Sequence, residues 1–304
     1  MQKSLYPERV LNDIKSRNNL EMPKTIHRII PYDSRNMKEV SSGEVHLMVT
    51  SPPYPMIEMW DSLFKNVDCK TYEDMHNYLA STWKECYRVL ADGGIACINI
   101  GDATRKVNGT FRLFPNHSKI IEECEKLGFI TLPCILWKKP TTKPNAFLGS
   151  GFIPTNAYVT LDCEYILIFR KGNIRKFKPK DPYRYASHYT KEERDLWFSQ
   201  IWNVNGVRQE RDEIDRRTAA YPEEIVHRLI RMFSIIGDTV LDPFLGTGTT
   251  TRVAMELSRN SIGYEIDKNL LNLIKERVGF QRSLSADPQK IQIEIISRKD
   301  RGEN

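Results

Sequence analysis

Apolar residues along this chain follow two rhythms, short unbroken runs and stripes spaced three or four apart, and the two alternate for most of its length. Ile26 to Ile30 is strand-like, and Val45 to Val49 is an apolar run stopped by Thr50-Ser-Pro-Pro-Tyr54, which predicts a buried strand ended by two prolines. Met75, Tyr78, Leu79, Trp83, Cys86, Tyr87 and Leu90 recur at helical spacing and predict an amphipathic helix over 71–90, ended by Asp92-Gly-Gly94. A strand at Ile95 to Ile100, a helix over 116–127 closed by Gly128, and strands at Phe129 to Trp137 and Glu164 to Phe169 follow. The alternation resumes at Pro222 with a helix to Ile235, a strand Asp238 to Asp242, a helix from Gly246 to about Leu257, a strand Asn260 to Glu265 and a helix Lys268 to Val278. Ile291 to Ile296 alternates and suits an added edge strand. Strands alternating with helices imply an α/β fold, a mostly parallel sheet with helices on both faces.

Between these runs, residues 139–157 are rich in Pro, Thr, Asn and Gly and predict a loop, and 171–220 are polar, aromatic and irregular. From Arg170 to Arg184 there are seven basic residues and one acid, Asp181, with Phe177, Tyr183 and Tyr185 interleaved. Such a strip is either a solvated loop or a track for a phosphate backbone; in the second reading its contacts are Arg175, Lys176, Lys178, Lys180 and Arg184. The whole-chain charge of +6 permits a nucleic-acid partner without establishing one. With 40% hydrophobic and 28% charged residues the chain has a globular composition, and no run approaches the roughly 18 apolar residues of a membrane helix. The first residues carry no apolar stretch after their basic residue, which does not fit a secretory signal. Six cysteines without a C-x-x-C, and six scattered histidines, predict no disulfide framework, no metal site and a reducing cytosol.

Val240-Leu-Asp-Pro-Phe-Leu-Gly-Thr-Gly-Thr-Thr250 reads as strand, glycine turn and helix start. Glycines let backbone approach a ligand, and a helix N-terminus offers free N–H groups. Glu265 lies 19 residues after Gly246, at the end of the next predicted strand, where an acid can accept both hydroxyls of a ribose. Thr251 stands where a dinucleotide fingerprint has its third glycine, and no lysine follows as in a triphosphate loop. Asp242, directly before the turn, suits a nucleoside cofactor with a positive amino-acid end, a description S-adenosylmethionine fits. Asp33, after the strand-like Ile26 to Ile30, is a weaker candidate for the adenine edge, the alternative being a loop acid.

The two prolines of Ser51-Pro52-Pro53-Tyr54 freeze the turn and remove two N–H donors. Carbonyls and the Ser51 oxygen are then presented as acceptors at a strand's carboxyl end, which suits gripping an amine. Tyr54 offers a rigid face for a planar base, with Trp60 as an alternative ring or as core.

Ser51-Pro-Pro-Tyr54 followed by Asp242-Pro-Phe-Leu-Gly-Thr-Gly-Thr-Thr250 resembles the amino-methylating DNA methyltransferases, in the permuted beta group where the catalytic turn precedes the cofactor turn. Tyr87-Arg-Val-Leu-Ala-Asp-Gly-Gly94, Ile98-Asn-Ile-Gly-Asp102, Glu164 to Gly172, Arg217-Thr-Ala-Ala-Tyr-Pro222 and Ile262-Gly-Tyr-Glu265 resemble further segments of that family, so the likeness spans about 25–280. Thr218 departs from the pattern, where many members carry His. The resemblance implies a Rossmann-like S-adenosylmethionine-dependent methyltransferase acting on an exocyclic amine of double-stranded DNA. It implies Ser51, Pro52, Pro53 and Tyr54 as catalytic, and Asp33, Thr50, Asp242, Pro243, Phe244, Gly246, Thr247, Gly248, Thr249, Thr250 and Glu265 around the cofactor. Ser at the first position is usual in cytosine-N4 enzymes, Asp in adenine-N6 ones, so cytosine N4 is expected, with adenine N6 as the alternative and an inactive DNA-binding protein of the same fold as a second. A cytosine-C5 enzyme would need a Pro-Cys nucleophile, and Pro133-Cys134, inside an apolar run, reads as core. The expected division is a lead-in at 1–24, a catalytic half at 25–172, a small DNA-recognition insertion at 173–217, a cofactor half at 218–280 and a tail at 281–304. The expected setting is a prokaryotic cytoplasm, with a cognate restriction nuclease acting separately.

Overall fold

The computed structural model describes residues 20–139, 159–206, 222–279 and 291–298. Most of the expected lead-in (1–19), most of the loop at 139–157, the Arg217–Tyr221 element with Thr218, and all of the tail but 291–298 lie outside the described residues.

Nine strands form one sheet. In chain order they are β1 (Thr25–Ile30), β2 (Val45–Thr50), β3 (Leu90–Ile100), β6 (Phe129–Lys138), β7 (Cys163–Lys171), β8 (Ile201–Asn203), β9 (Thr239–Asp242), β10 (Asn260–Tyr264) and β11 (Ile291–Ile295). Two more, β4 (Ala103–Val107) and β5 (Thr110–Phe114), make a separate hairpin. The sheet order is β11-β1-β10-β9-β2-β3-β7-β6-β8. Every neighbouring pair is parallel except the two that involve β7. The chain leaves β2 toward β3 and leaves β9 toward β10, in opposite directions, so the switch point of the sheet lies between β2 and β9. Ligands bind open α/β sheets outside the carboxyl ends at such a point.

Helix α1 (Asp61–Asn66) precedes α2 (Tyr72–Val89), where Thr71 and Asp74 form a capping box and Met75, Tyr78, Leu79, Trp83, Cys86 and Val89 face the sheet. Helix α3 (Asn116–Lys126) joins them on that face through Ile120 and Cys124. The opposite face is covered by α5 (Lys191–Trp197), α6 (Glu223–Phe233) and α7 (Thr249–Glu256), whose Trp197, Ile225, Val226, Leu229 and Val253 meet Leu47, Val49, Cys97, Ile166 and Ile168. Helix α8 (Leu271–Arg277) packs Ile274 on Ile29 and Leu245. No helix among the described residues is long and apolar enough to cross a membrane.

Three elements differ from the pattern read in the sequence. Asp92-Gly-Gly94 does not separate helix from strand: β3 begins at Leu90, directly at the end of α2, and carries a bulge, since Val45 pairs with Leu90 but Leu47 with Ile95. Residues 103–114, whose polar alternation is too short to stand out, fold as the β4–β5 hairpin. Asn108 and Gly109 at its tip have φ of 50° and 81°, the turn that an Asn-Gly pair favours. Third, the described part of 173–217 is not a free-standing insertion. It holds α4 (Pro182–Ala186), α5 and β8, and buries Trp197, Trp202 and Val204 in the second core. Apolar spacing does not show this, because two isolated tryptophans supply most of the burial.

The basic strip leaves the end of β7. Since β7 runs against β3, with Ile95 opposite Arg170 and Ile100 opposite Tyr165, that end lies at the amino ends of the parallel strands, away from the switch-point crevice. Arg175 there binds Asp238, just before β9, through Nη1–Oδ2 at 2.6 Å and Nη2–Oδ1 at 2.8 Å. Asp238 is 3% exposed and also accepts the Ile235 N–H. Arg175 is therefore engaged in an internal pair, which corrects its expected role as a phosphate contact. Removing one partner of a buried pair strands the other, so Arg175→Ala is expected to cost about 2–4 kcal/mol in chemical denaturation, and Arg175→Lys less. An Ala variant as stable as the parent would mean that water replaces the guanidinium.

Candidate active site

The turn after β9 and the turn after β2 face each other across the switch point, and one carboxylate joins them. Asp242 is buried at the end of β9. Its Oδ1 accepts the Thr50 hydroxyl at 2.7 Å and the Phe244 N–H at 3.1 Å, and its Oδ2 accepts the Thr250 hydroxyl at 2.6 Å. Thr50 ends β2 and Thr250 sits in the first turn of α7, so three elements are tied at one point. Burial nevertheless pushes the Asp242 carboxyl up to about 6. An ionised carboxylate accepts about four hydrogen bonds, so one lone pair remains for a further donor. Asp242 is thus first a staple, and only secondarily available to a cofactor's cationic end.

Gly246 and Gly248, with φ of 55° and 91°, turn the chain from Phe244 into α7, and Gly248 is the N-cap with no side-chain cap bond. The early N–H groups of that helix are left to other acceptors. A Cβ at Gly246 would meet only the Phe244 carbonyl, at 4.0 Å, so the turn borders open space on that side. Thr247 is buried, its hydroxyl accepting from Arg277 Nη1 at 2.9 Å, which fixes the loop against α8. Phe244 packs edge-on to Trp83 of α2. Glu265 follows β10 directly. Its Oε2 accepts the Gly246 N–H and its Oε1 the Asp267 N–H, both at 2.8 Å, and burial raises its carboxyl to about 7. On the next strand over, Asp33 follows β1, but its carboxylate is held by Arg35 at 2.7–2.9 Å, and Arg35 lies over the Tyr78 ring. Asp33, Glu265, Gly246 and Asp242 thus lie at the carboxyl ends of β1, β10 and β9. An acid at the end of the neighbouring strand, an open glycine turn and helix N–H groups fit a nucleoside with an amino-acid tail.

On the other side of the switch point the sequence pattern reveals only half of the constellation. Tyr54 O–H donates to Glu164 Oε2 at 2.8 Å. Ser51 Oγ is 3.0 Å from the Tyr54 hydroxyl. Asn99 Nδ2 donates to both Tyr54 Oη and Glu164 Oε2, at 2.7 Å each, and Lys139 Nζ is paired with Glu164 Oε1. Lys139 also lies over the Trp137 ring. The Asn99 Oδ1 is buried and has no partner among the described residues. Ser51, Asn99, Glu164 and Lys139 come from the ends of four neighbouring strands, β2, β3, β7 and β6. A Cβ at Gly101 would stand 3.1 Å from Tyr54 Cε2 and 3.3 Å from Glu164 Cγ, so a larger residue there would press the ring aside by a few tenths of an ångström. Pro52 and Pro53 are buried, Ser51 and Tyr54 half-buried. Met56, two residues on, has φ 64°, a left-handed conformation unusual for such a side chain and typical of over-determined functional loops. Asn116 Nδ2 donates to the Pro55 and Gly101 carbonyls at 2.9 and 3.0 Å, holding the turn from outside. Trp60 packs against the first core cluster rather than standing beside Tyr54 as a second free ring. Pro133-Cys134 falls at a bulge of β6, with Cys134 packed on the same cluster.

The bonds set a direction. Glu164 as a carboxylate can only accept, so the single Tyr54 proton points at it. Tyr54 oxygen then accepts from Asn99 and, at 3.0 Å, from Ser51. With its own proton committed, Ser51 has only lone pairs left to offer. The turn is therefore built to receive N–H groups. The described residues contain no group of three or more His, Cys, Asp or Glu able to hold a metal.

A glycine turn and helix N-terminus on one side of a sheet switch point, with an acceptor-lined turn on the other, suit a Rossmann-like group-transfer enzyme. Residues 45–276 match the family model for N6/N4 DNA methylases, and the chain belongs to that family. It is 62% identical over 298 residues to the type II methyltransferase M.MjaI of Methanocaldococcus jannaschii, covering 90% of this chain and 97% of that one. It is 45% identical over 294 residues to the type II methyltransferase M.MthZI of Methanothermobacter thermautotrophicus, covering 91% and 81%. A crystal structure of a putative DNA modification methylase from Thermus thermophilus, complexed with S-adenosyl-L-methionine, has a TM-score of 0.69 at 33% identity, covering 89% and 100%.

The raised carboxyl of Glu265 has a thermodynamic sign. Between the unfolded value near 4.5 and the folded value of about 7 the native state binds more protons than the unfolded one, so stability falls as pH rises through that window. Unfolding free energies of the parent from urea titration are expected to decline from pH 5 to 8, on the order of 1–3 kcal/mol, and Glu265→Gln should flatten the decline. Parallel pH profiles for parent and variant would place the proton uptake elsewhere.

Proposed function

We propose that this DNA amino-methyltransferase transfers a methyl group from S-adenosylmethionine to the exocyclic N4 amine of cytosine in double-stranded DNA, as the modification partner of a restriction nuclease. The methyl donor of the family is S-adenosylmethionine, which when bound supplies an electrophilic methyl on a sulfonium. Asp242, the Gly246–Gly248 turn and the first turn of α7 would hold its amino-acid end and Glu265 its ribose. Thr50, Pro243, Phe244, Thr247 and Thr249 would shape the same cradle. The type II names of the two archaeal relatives support the restriction-modification setting.

The observation that carries the reading is the one-way hydrogen-bond chain from Ser51 through Tyr54 to Glu164. A base amine is conjugated with its ring and is a poor nucleophile. Acceptors at Ser51 Oγ and the Pro52 carbonyl engage both its hydrogens and favour a nitrogen whose lone pair points away from the ring plane. Such positioning contributes much of the rate when the reacting groups are pre-aligned. Inside a duplex the amine is inaccessible, so the base leaves the stack and lies on the Tyr54 ring. Asn99 and Glu164 hold that ring by its hydroxyl, so the hydroxyl is more than incidental to stacking. Ser51, in place of the acid usual in adenine enzymes, favours cytosine.

The decisive experiment is digestion of DNA methylated by the pure protein to nucleosides. N4-methylcytosine is expected, and N6-methyladenine would replace the base assignment while leaving the chemistry. In single-turnover methylation at saturating DNA and cofactor, Ser51→Ala and Tyr54→Ala should lose rate with near-normal S-adenosylmethionine affinity; stacking on an aromatic is worth about 1–3 kcal/mol per base. Glu164→Gln, whose amide can donate to Tyr54 and reverse the chain, is expected to slow the step about 10- to 100-fold. A Gln variant at the parent rate would refute the polarity argument.

A further inference from the structure

With the 170–184 strip at the far end of the sheet, the catalytic end needs another source of positive charge if DNA is to lie across it. The β4–β5 hairpin supplies one. Residues 103–114 contain Arg105, Lys106 and Arg112 and no acid. Both feet of the hairpin are built into the catalytic turn. Gly101, whose carbonyl Asn116 holds and whose Cα lies against Tyr54, precedes β4 by two residues. Asn116, which also holds the Pro55 carbonyl, follows β5 by two. Ala103 and Phe114 at the base are buried, and Phe114 packs against Tyr72 of α2. Beyond the base, Thr104, Lys106, Asn108, Gly109, Thr110, Arg112 and Leu113 are exposed. The hairpin is an arm rooted beside the reacting base and otherwise in solvent.

Its cross-strand register is unfavourable without a counter-anion. Arg105 stands directly opposite Arg112, while Lys106, opposite Phe111, projects from the other face of the ribbon. Like charges directly opposite in an antiparallel pair destabilise it. Asp61 binds Arg105 Nη2 at 2.9 and 3.0 Å and neutralises that side chain. Arg112 stacks its guanidinium on Phe114, which leaves its charge unpaired, and neither Arg112 nor Lys106 has a carboxylate partner among the described residues. A preordered arginine, a lysine on the opposite face and no acid in the ribbon suit an anion that passes along both sides of it.

We propose that the hairpin Ala103–Phe114 is a DNA-contacting arm, with Arg112 and Lys106 binding backbone phosphates beside the extruded base. This rests on the reading of the protein as a DNA methyltransferase and adds where the duplex is gripped. The arm contacts phosphate rather than base edges, so its contribution is alike for all sequences.

The test is fluorescence anisotropy of the full-length protein on a labelled random-sequence duplex, titrated with salt, alongside calorimetry with S-adenosylmethionine alone. Lys106→Gln/Arg112→Gln is expected to weaken duplex binding about tenfold at low salt and to make the log Kd against log salt slope shallower by about 1–2. Cofactor affinity should stay unchanged. Lys106→Arg/Arg112→Lys keeps the charges and should keep the slope; a loss equal to that of the Gln pair would overturn the phosphate role in favour of packing. Lys176→Gln/Lys178→Gln, at the far end of the sheet, should bind as the parent does, and the opposite ranking of the two Gln pairs would also overturn the proposal. If the parent methylates DNA and the hairpin variants bind like it, the arm is wrong and the function stands. If the parent neither binds duplex nor methylates any base, the DNA reading itself fails.

Discussion

The reversal of one strand governs the chemistry of this molecule. Because β7 runs against β3 and β6, its first residues rather than its last reach the carboxyl ends of the parallel strands. That places Glu164 beside Tyr54 and Asn99, where its carboxylate accepts the Tyr54 proton and an Asn99 N–H. The same reversal carries Lys171 and the basic strip to the opposite end of the sheet. A parallel strand in this position would have exchanged the two, leaving a cationic strip at the catalytic turn and no acid to set its polarity.

Two buried carboxylates divide the work across the switch point. Asp242 ties β2, β9 and α7 together through two threonine hydroxyls and a backbone N–H, so the glycine turn and the Ser51–Tyr54 turn share one anchor. Glu164 does the corresponding service for the Ser51–Tyr54 turn through Tyr54, Asn99 and Lys139. Asp242 and Glu265, both pushed up by burial, lie at the glycine turn and hold backbone or hydroxyl donors. Buried polar groups of this kind are stable only when their partners are supplied. The threonines flanking the two turns are there to supply them as much as to touch a ligand.

The hairpin and the segment 173–206 show the two ways in which polar sequence is used. The hairpin keeps little core, only Ala103 and Phe114, and exposes its charges. The other segment looks similar in composition, yet Trp197, Trp202 and Val204 anchor it under the sheet and β8 extends the sheet beyond β6. Its contacts with Arg231, through the His188 carbonyl and Glu193, are internal. Charge density alone does not distinguish an arm from a cover; the number of large apolar anchors does.

By itself the sequence determined the alternation of strands and helices, the two turns that define the family, the acid at Glu265 and even the β11 edge strand, because each is written in neighbouring residues as a period, a proline pair or a glycine turn. The Asn108-Gly109 pair carries a local turn signal, but the short polar strands around it hide the hairpin from an apolar-period reading. What only the tertiary structure decided was direction and partnership. No local pattern in Cys163–Lys171 says that the strand is antiparallel, since a buried strand reads the same both ways. For the same reason nothing near Tyr54 announces Asn99 or Glu164, 45 and 110 residues away. Arg175 reads as a free surface cation until Asp238, 63 residues on, is folded against it. Hydrogen-bond polarity and ion pairing belong to pairs of residues, and pairs distant in sequence exist only once the sheet has brought them together.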